Sequence, residues 1–282
     1  MTTSQPQAVV FTDLDGTLLG HHDYSIAGAL AGLSRCEKLG IPVVPTTSKT
    51  AAETLGLMER LSLRWACIVE NGSAAIIPEQ SPWRAAAPES GALRFGAERA
   101  QILDALPALR QSTGARFVAF NEMPIAGIAE LTGLSLDDAQ QAANRGYSEP
   151  LHWQDSDAAL DAFETAVEAA GLRCLRGGRF VHVLGPTDKG LAAKALLDAV
   201  GLSEVPVIAL GDAGNDEALI NAAHIGVWVR SPRGPAPSTT ARVRTFRTQA
   251  LAPDGWTEGV NAAINICIGD HGDAPTAFAQ PL

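Results

Sequence analysis

The chain has 282 residues, of which 46% are hydrophobic and 18% charged, a composition typical of a globular protein with one large domain or two modest ones. Its formal net charge of −10 argues against a nucleic-acid partner, because binding to phosphate backbones needs a basic surface. No uninterrupted run of about 18 apolar residues is present and the first residues are polar, so we expect neither a membrane partner nor a secretory signal.

Strands and helices alternate along the first third of the chain. Short apolar runs rich in β-branched residues predict strands, and apolar residues at helical spacing predict helices between them. The strands are predicted at residues 8–12, 41–44 and 66–69, and the helices at residues 25–39 and 50–61. This alternation is typical of an α/β fold with a parallel sheet.

The same alternation returns near the end of the chain. Helices are predicted at residues 189–200, 217–223 and 259–266, and strands at residues 205–210 and 225–229. We therefore expect this second half to continue the parallel sheet of the first.

The segment between the two halves has a different order of elements. Its helices are predicted at residues 98–109, 136–143 and 158–170, and its strand-like runs at residues 117–120 and 180–184. We interpret this segment as an inserted α+β domain at residues 85–185. The rest of the chain, residues 1–84 and 186–282, is then a doubly wound, mostly parallel α/β core.

Acidic residues directly follow the first predicted strand, in the run Asp13-Leu14-Asp15-Gly16-Thr17. Asp13 has the chemistry to attack a phosphorus atom and form an aspartyl-phosphate. Asp15 can protonate the leaving oxygen and later activate water. A solvated acidic turn is the alternative interpretation of this run when it is considered alone.

A second acidic cluster, Gly211–Asp216, follows a late predicted strand. Because the carboxyl ends of parallel strands meet at one crevice, we expect this cluster to lie near the first. Mg²⁺ prefers a few hard oxygen ligands and retained waters. We therefore predict a magnesium site made of Asp13, the backbone carbonyl of Asp15, Asp212 and Asp216, with Asp216 binding directly or through a water.

Hydroxyl and cationic groups complete the predicted site. Thr47 or Ser48 can donate a hydrogen bond to a phosphoryl oxygen, and Lys189 opens a helix where its ammonium group can offset charge that develops in phosphoryl transfer. Together these clusters resemble the four motifs of the haloacid dehalogenase superfamily of phosphatases, in the right order and over nearly the whole chain. The inserted domain is similar to the type-two α+β cap of that superfamily, and Glu70-Asn71-Gly72 resembles a pattern of the same subgroup.

Several runs are similar to the mannosyl-3-phosphoglycerate phosphatases, namely residues 18–25, 47–50, 143–150 and 177–182. Guanidinium groups in the cap suit a carboxylate or phosphate, whereas Glu149 and His182 suit sugar hydroxyls. Each of these cap residues can instead have a structural role. The residues expected to bind substrate from the resemblance are Ser48, Lys49, Asn71, Arg145, Glu149, Arg179 and His182.

The resemblance implies an Mg²⁺-dependent phosphatase that converts mannosyl-3-phosphoglycerate to the compatible solute mannosylglycerate. The alternatives are a phosphatase of glucosyl-3-phosphoglycerate or another sugar phosphate, a phosphomannomutase-like enzyme, and a non-catalytic binding protein on the same scaffold. The partner is then a small phosphorylated sugar-glycerate, and we expect a monomer or homodimer.

The remaining cysteines and histidines are interpreted as non-catalytic. The four cysteines lie far apart without a C-x-x-C pair, which favours free thiols in a reducing cytoplasm and thus a cytoplasmic protein. His21 and His22 have no metal-ligand spacing, and we expect both to be exposed to solvent.

Overall fold

The computed structural model describes residues 5–21, 23–177, 180–232, 234, 239 and 243–269. None of the helices in these residues is both long enough and apolar enough to cross a membrane. The strands in this part of the chain are β1 (Val9–Thr12), β2 (Val43–Pro45), β3 (Cys67–Val69), β4 (Ala74–Ile76), β5 (Ala92–Arg94), β6 (Phe117–Ala119), β7 (Ser148–Trp153), β8 (Arg173–Arg176), β9 (Val181–Leu184), β10 (Val207–Gly211), β11 (Ile225–Arg230) and β12 (Arg244–Leu251).

The helices of the same residues match most of the predicted ones within a few residues, which confirms those predictions. One cap helix, α4, and the strands β4, β5, β7, β8 and β12 are not predicted by the sequence patterns. The helices are α1 (Leu30–Lys38), α2 (Ala51–Arg60), α3 (Arg99–Thr113), α4 (Ile125–Thr132), α5 (Leu136–Ala143), α6 (Asp157–Ala169), α7 (Lys189–Ala199), α8 (Glu217–Ala222) and α9 (Asp254–Ile268).

Five strands form the core sheet in the order β12-β11-β10-β1-β2, and every neighbouring pair is parallel. Successive side chains of β1 point to opposite faces of the sheet. Val10 packs in a cluster with α1 and α9, whereas Val9 and Phe11 pack with α7 and α8. Helices thus cover both faces and bury the strands. The predicted doubly wound α/β core is confirmed.

The strand β3 lies beside the core sheet rather than within it. An isolated parallel bridge joins Ile68 to Thr46, just past β2, while β3 pairs antiparallel with β4 and β4 with β5. This arrangement arises because the chain reverses at Glu70–Gly72 and returns as β4. The strand β5 lies within the predicted cap range, since it follows residue 84, yet it pairs with β4. The domain boundaries at residues 84/85 and 185/186 therefore stay a prediction.

A second, antiparallel sheet with the order β6-β7-β9-β8 forms the cap. Ile102 of α3 and Phe163 of α6 pack with Phe117 of β6 in one apolar cluster. A smaller cluster contains Phe120 and Ile128 of α4. The predicted α+β cap is therefore confirmed.

The four cysteines have free thiols, as the sequence predicts. Burial raises the pKa of Cys36, Cys67 and Cys174 to about 12, and it also raises the pKa of Cys267. The nucleophilic form of a cysteine is the thiolate. These thiols are therefore mainly protonated at neutral pH, which lowers their reactivity.

Candidate active site

The ends of the core strands carry the polar residues that the sequence singles out. β1 ends at Thr12, so Asp13 follows it directly, and the backbone N–H of Asp13 donates to Leu210 O in β10 at 2.9 Å. Thr47 lies just past β2 and Asp212 directly follows β10. Since the carboxyl ends of parallel strands meet at one edge of a sheet, these distant residues converge.

Lys189 bridges two of the carboxylates. It is the first residue of α7, where Asp188 caps the helix by accepting from Leu191 N. Lys189 Nζ donates to Asp13 Oδ1 and to Asp216 Oδ1, each at 2.6 Å, and its side chain is fully buried. Buried charges persist only when they are paired and hydrogen-bonded. The three side chains therefore hold one another in fixed positions.

Burial and charge act against each other in this cluster. Burial raises the pKa of Asp13 and of Asp216 to about 6, while Lys189 pulls both values down. Burial alone would lower the pKa of Lys189, but the two carboxylates hold that pKa above its usual value. Lys189 is therefore charged at neutral pH, and both carboxylates are mainly ionised there.

Three carboxylates are close enough to hold a metal ion. One oxygen from each of Asp13, Asp212 and Asp216 lies within 4.8 Å of the other two. Asp216 is the most engaged, because Oδ1 accepts from Lys189 and Oδ2 accepts the backbone N–H groups of Asp212 and Ala213 at 3.0 and 3.1 Å. Carboxylate oxygens suit Mg²⁺. The donor set fits this ion, with Asp13 and Asp212 better disposed than Asp216 as direct ligands.

Asp15 pairs with Lys49 at the more exposed side of the site. Lys49 Nζ lies 2.9 Å from Asp15 Oδ2, 3.9 Å from Glu53 Oε1 and 5.2 Å from the centre of the Tyr24 ring. Burial opposes the charge on Lys49, but the two carboxylates raise its pKa above the usual value. Asp15 Oδ1 has no hydrogen-bond partner within the described residues. One oxygen of Asp15 is thus held by Lys49, and the other can take part in a hydrogen bond or proton transfer.

A cavity of about 230 Å³ lies between the core and the cap. Its core side is rich in carboxylates, while its cap side includes Phe120 and Phe180, whose rings meet edge to face with centroids 5.0 Å apart. The predicted catalytic residues Thr47 and Lys189, with Asp216, are buried next to this cavity. The predicted site residues that line it are Asp13, Asp15, Ser48, Lys49, Asn71, Arg145, His182 and Asp212.

His21 lines the cavity too, and the prediction that it is exposed is wrong. Its side chain is 10% exposed, and Nε2 lies 2.9 Å from Ser231 Oγ and 3.3 Å from Asp212 Oδ2. The ring fits there because Gly16 has no side chain, since a Cβ at Gly16 would lie 2.8 Å from His21 Cε1. His22 lies outside the described residues. The other lining residues that the sequence patterns do not single out include Tyr24, Glu53, Phe120 and Phe180.

Glu149 lies inside the cap rather than at the cavity. It is completely buried, and its two oxygens accept hydrogen bonds from Arg99 Nε at 2.6 Å and from Asn121 N at 2.7 Å. It is not among the described residues that line the cavity. Neighbouring side chains of a strand point to opposite faces, and Pro150 faces the cavity instead. The substrate contact predicted for Glu149 therefore has no support in this geometry.

Of the other predicted cap residues, His182 and Arg145 lie at the cavity. His182 lines the cavity from β9, and burial, together with the charge of Arg145, lowers its pKa to about 3. The ring is therefore neutral at neutral pH, and its Nδ1 has no hydrogen-bond partner in the described part of the chain. Arg145 also lines the cavity, but its Nε lies 3.4 Å from Glu70 Oε2 in a buried ion pair. Arg179 lies outside the described residues.

Comparison with known proteins agrees with this fold and geometry. The family model described as haloacid dehalogenase-like hydrolase matches residues 10–85. A relative from Methanococcoides burtonii is 32% identical over 259 residues, which cover 89% of this chain and 95% of the relative. The chain therefore belongs to the haloacid dehalogenase-like hydrolases. The relative is named glucosyl-3-phosphoglycerate/mannosyl-3-phosphoglycerate phosphatase, which confirms the predicted resemblance to the phosphatases of this family.

Two solved structures share the fold of both core and cap. The sugar phosphatase BT4131, of haloacid dehalogenase subclass IIB, has a TM-score of 0.63 at 15% identity and covers 92% of this chain and 98% of its own. The sucrose-phosphatase of Synechocystis sp. PCC6803, solved with sucrose and phosphate, has a TM-score of 0.59 at 17% identity and covers 93% of this chain and 98% of its own. At these identities the likeness concerns the fold alone.

Proposed function

We propose that this phosphatase is Mg²⁺-dependent and hydrolyses a hexosyl-3-phosphoglycerate, with mannosyl-3-phosphoglycerate as the first candidate and glucosyl-3-phosphoglycerate as the alternative. The name of the 32% identical relative supports this substrate class. The products are then the hexosylglycerate, such as mannosylglycerate, and inorganic phosphate. The observation that carries the proposal is the buried cluster beside the cavity, made of Asp13, Lys189, Asp212 and Asp216.

Asp13 is the proposed nucleophile. Lys189 holds Asp13 Oδ1 at 2.6 Å, so the carboxylate has a fixed orientation toward a phosphoryl group in the cavity. A bond forms between a carboxylate oxygen of Asp13 and phosphorus while the bond from phosphorus to the leaving oxygen breaks. Asp15 donates its proton to that leaving oxygen. Thr47 and Ser48 donate hydrogen bonds to the phosphoryl oxygens.

Asp15 then acts in the second half of the reaction. As a carboxylate it accepts a proton from water, and the water oxygen attacks phosphorus, which frees Asp13 and inorganic phosphate. Mg²⁺ would be held by Asp13, Asp212 and the backbone carbonyl of Asp15, while Asp216 orients Lys189. When bound, Mg²⁺ supplies positive charge that offsets the charge on the phosphoryl oxygens.

Substrate selection is assigned to the cap at residues 85–185, and the chemistry to residues 1–84 and 186–282. The apolar face of a sugar ring suits the edge-to-face pair of Phe120 and Phe180, and neutral His182 suits a sugar hydroxyl. Lys49 suits the glycerate carboxylate. The free thiols favour a cytoplasmic location, and a monomer or homodimer stays a prediction.

A panel of phosphate esters tests this function directly. We expect release of inorganic phosphate from mannosyl- and glucosyl-3-phosphoglycerate with Mg²⁺ present, loss of release with EDTA, and a higher kcat/KM for the mannosyl ester. Malachite green detection of phosphate is the measurement. Turnover of mannose 6-phosphate alone would move the function to a general sugar phosphatase, and a product that keeps its phosphate would indicate a mutase.

Lys49 provides a sharper test of the carboxylate contact. Changing Lys49→Met should lower kcat/KM for the hexosyl-phosphoglycerate by about 10- to 100-fold, since a hydrogen bond to a charged group contributes roughly 1.5–3 kcal/mol. The value for p-nitrophenyl phosphate, which has no carboxylate, should fall less, only by what loss of the Asp15–Lys49 pair costs on every ester. Lys38→Met, at an exposed lysine of α1, is the matched control. Equal losses on both esters would contradict a carboxylate contact at Lys49.

A further inference from the structure

The loop at residues 47–49 is held by a neighbouring turn of the core. Thr47 O accepts the backbone N–H of Asn71, and Lys49 O accepts the backbone N–H of Glu70, both at 2.9 Å. Glu70 and Asn71 have left-handed backbones with φ of 50° and 59°, which is uncommon for residues other than glycine. This conformation directs both N–H groups at the loop. Backbone strain of this kind persists where the surroundings demand it, often at functional sites.

The carbonyl between these two is bound from the cap. Arg145 Nη2 donates to Ser48 O at 2.7 Å, while its Nε donates to Ser148 Oγ at 3.1 Å. The Arg145 side chain is 4% exposed. The three consecutive carbonyls of the loop thus have two partners from the core and one from the cap. The middle partner is present only when the cap lies against the core.

Glu70 holds the cap segment that carries this arginine. Its Oε1 accepts the backbone N–H of Gly146 at 2.8 Å, and its Oε2 accepts from Tyr147 N at 3.1 Å and Ser148 Oγ at 2.6 Å. Arg145 Nε lies 3.4 Å from the same Oε2. Because both carboxylate oxygens of Glu70 accept hydrogen bonds from the 145–148 segment, they hold that segment in one orientation. Glu70 thereby fixes the direction of the Arg145 guanidinium.

The same turn also contacts the start of α7. Gly72 has a φ of +96°, and a Cβ there would lie 2.2 Å from Asp188 O and 2.7 Å from Lys189 N. Thr187 Oγ1 donates to Gly72 O at 3.0 Å. One short turn therefore touches the 47–49 loop, the cap and the first residue of the helix that carries Lys189.

We propose that Glu70 and Arg145 are positioning residues that couple cap closure to the geometry of the 47–49 loop. On closure, Glu70 receives the 145–148 segment and orients Arg145, which then fixes Ser48 O and with it the hydroxyl groups of Thr47 and Ser48. On opening, both charges return to water, so neither is left buried and unpaired. This inference rests on the proposed role of Thr47 and Ser48 at the phosphoryl group.

Direct binding of substrate by Arg145 is the alternative to a positioning role. Its nitrogens are directed at protein groups, namely Ser148 Oγ, Ser48 O and, at 3.5 Å, Ala142 O. Three of the five N–H groups of the guanidinium are used in this way, so a substrate anion would have to share the guanidinium with these protein groups. A positioning role affects every phosphate ester through kcat, whereas a substrate contact affects KM of the esters that carry the extra group.

The test compares p-nitrophenyl phosphate with a hexosyl-3-phosphoglycerate in the full-length protein. Arg145→Ala should lower kcat by about 100-fold on both esters with little change in KM, because small misplacements of catalytic groups carry losses of that order. Guanidinium ion at low concentration should restore part of kcat, and Glu70→Gln should show the same loss without rescue. Arg116→Ala is the matched control, because Arg116 is an exposed arginine of the cap that pairs with Asp155, and its kcat should stay near that of the parent.

Three results would overturn the proposal. The first is an Arg145→Ala loss confined to KM of the hexosyl ester, the second is a folded Arg145→Ala protein that guanidinium does not rescue, and the third is an unchanged kcat in Glu70→Gln. Thermal denaturation reports whether each variant is folded. If Arg145→Ala is not folded, kcat of Arg145→Lys and of Glu70→Gln is compared with kcat of the parent instead. A parent protein that cleaves only p-nitrophenyl phosphate would refute the hexosyl substrate while leaving this test intact.

Discussion

Changing Asp13→Asn should abolish turnover of every phosphate ester, with a loss of at least about 10,000-fold in kcat. An amide is a poor nucleophile and cannot form the aspartyl-phosphate, whereas its shape still fills the position beside Lys189. Phosphate release from p-nitrophenyl phosphate and from a hexosyl-3-phosphoglycerate is the measurement. Both esters should be affected alike, because the change is at the reacting atom and not at a group that selects the substrate.

The control for this change is Asp104→Asn on the exposed face of α3, which should keep the activity of the parent. The Asp13→Asn protein should unfold at a temperature close to that of the parent, so that loss of activity is not loss of fold. Residual turnover above about 1% of the parent, in a preparation free of the parent enzyme, would rule out Asp13 as the nucleophile.

Changing Lys189→Met should remove activity and also lower the free energy of unfolding by about 3–5 kcal/mol at pH 8, because Asp13 and Asp216 then face each other buried without a cation. The penalty should be clearly smaller at pH 5. In the folded protein both carboxylates have a pKa of about 6, against 3.8 for an ordinary aspartate. Their contribution to stability is therefore greatest at low pH and is lost as the pH rises through about 6.

Urea denaturation in EDTA at the two pH values measures this difference without bound metal. Lys189 itself is charged at both pH values, since its pKa lies above the usual value, so the change with pH comes from the carboxylates. Lys194→Met, at an exposed lysine of the same helix, should change the free energy of unfolding little at either pH. An equal penalty for Lys189→Met at pH 5 and pH 8 would contradict the buried-carboxylate explanation.

The core and the edge that carries the candidate site could be predicted because their physical causes are local. A buried parallel strand is a run of apolar residues, and such runs are visible at residues 9–12 and 207–211. The topology then brings the residues after each strand to one edge, whatever their separation in sequence. This reasoning identifies Asp13, Thr47 and Asp212 without knowledge of any contact between them.

The cap residues could not be assigned in the same way. Arg145 and Glu149 are polar residues close together in sequence, but their roles depend on partners such as Glu70 and Arg99 that only the folded chain brings near. A pattern of polar residues shows neither which face of β7 meets the cavity nor which charges are already paired. The edge strand β12 escapes prediction because its sequence shows neither a continuous apolar run nor strict alternation of apolar and polar residues.

The low reactivity of the native cysteines opens a way to observe cap movement. Maleimides react with thiolates, and burial raises the pKa of all four native thiols. Exposed cysteines introduced by Lys38→Cys in the core and Glu130→Cys in the cap can therefore be labelled in preference to the native ones. A donor and acceptor fluorophore at these two sites would report the distance between core and cap while the enzyme turns over, on an otherwise unaltered chain.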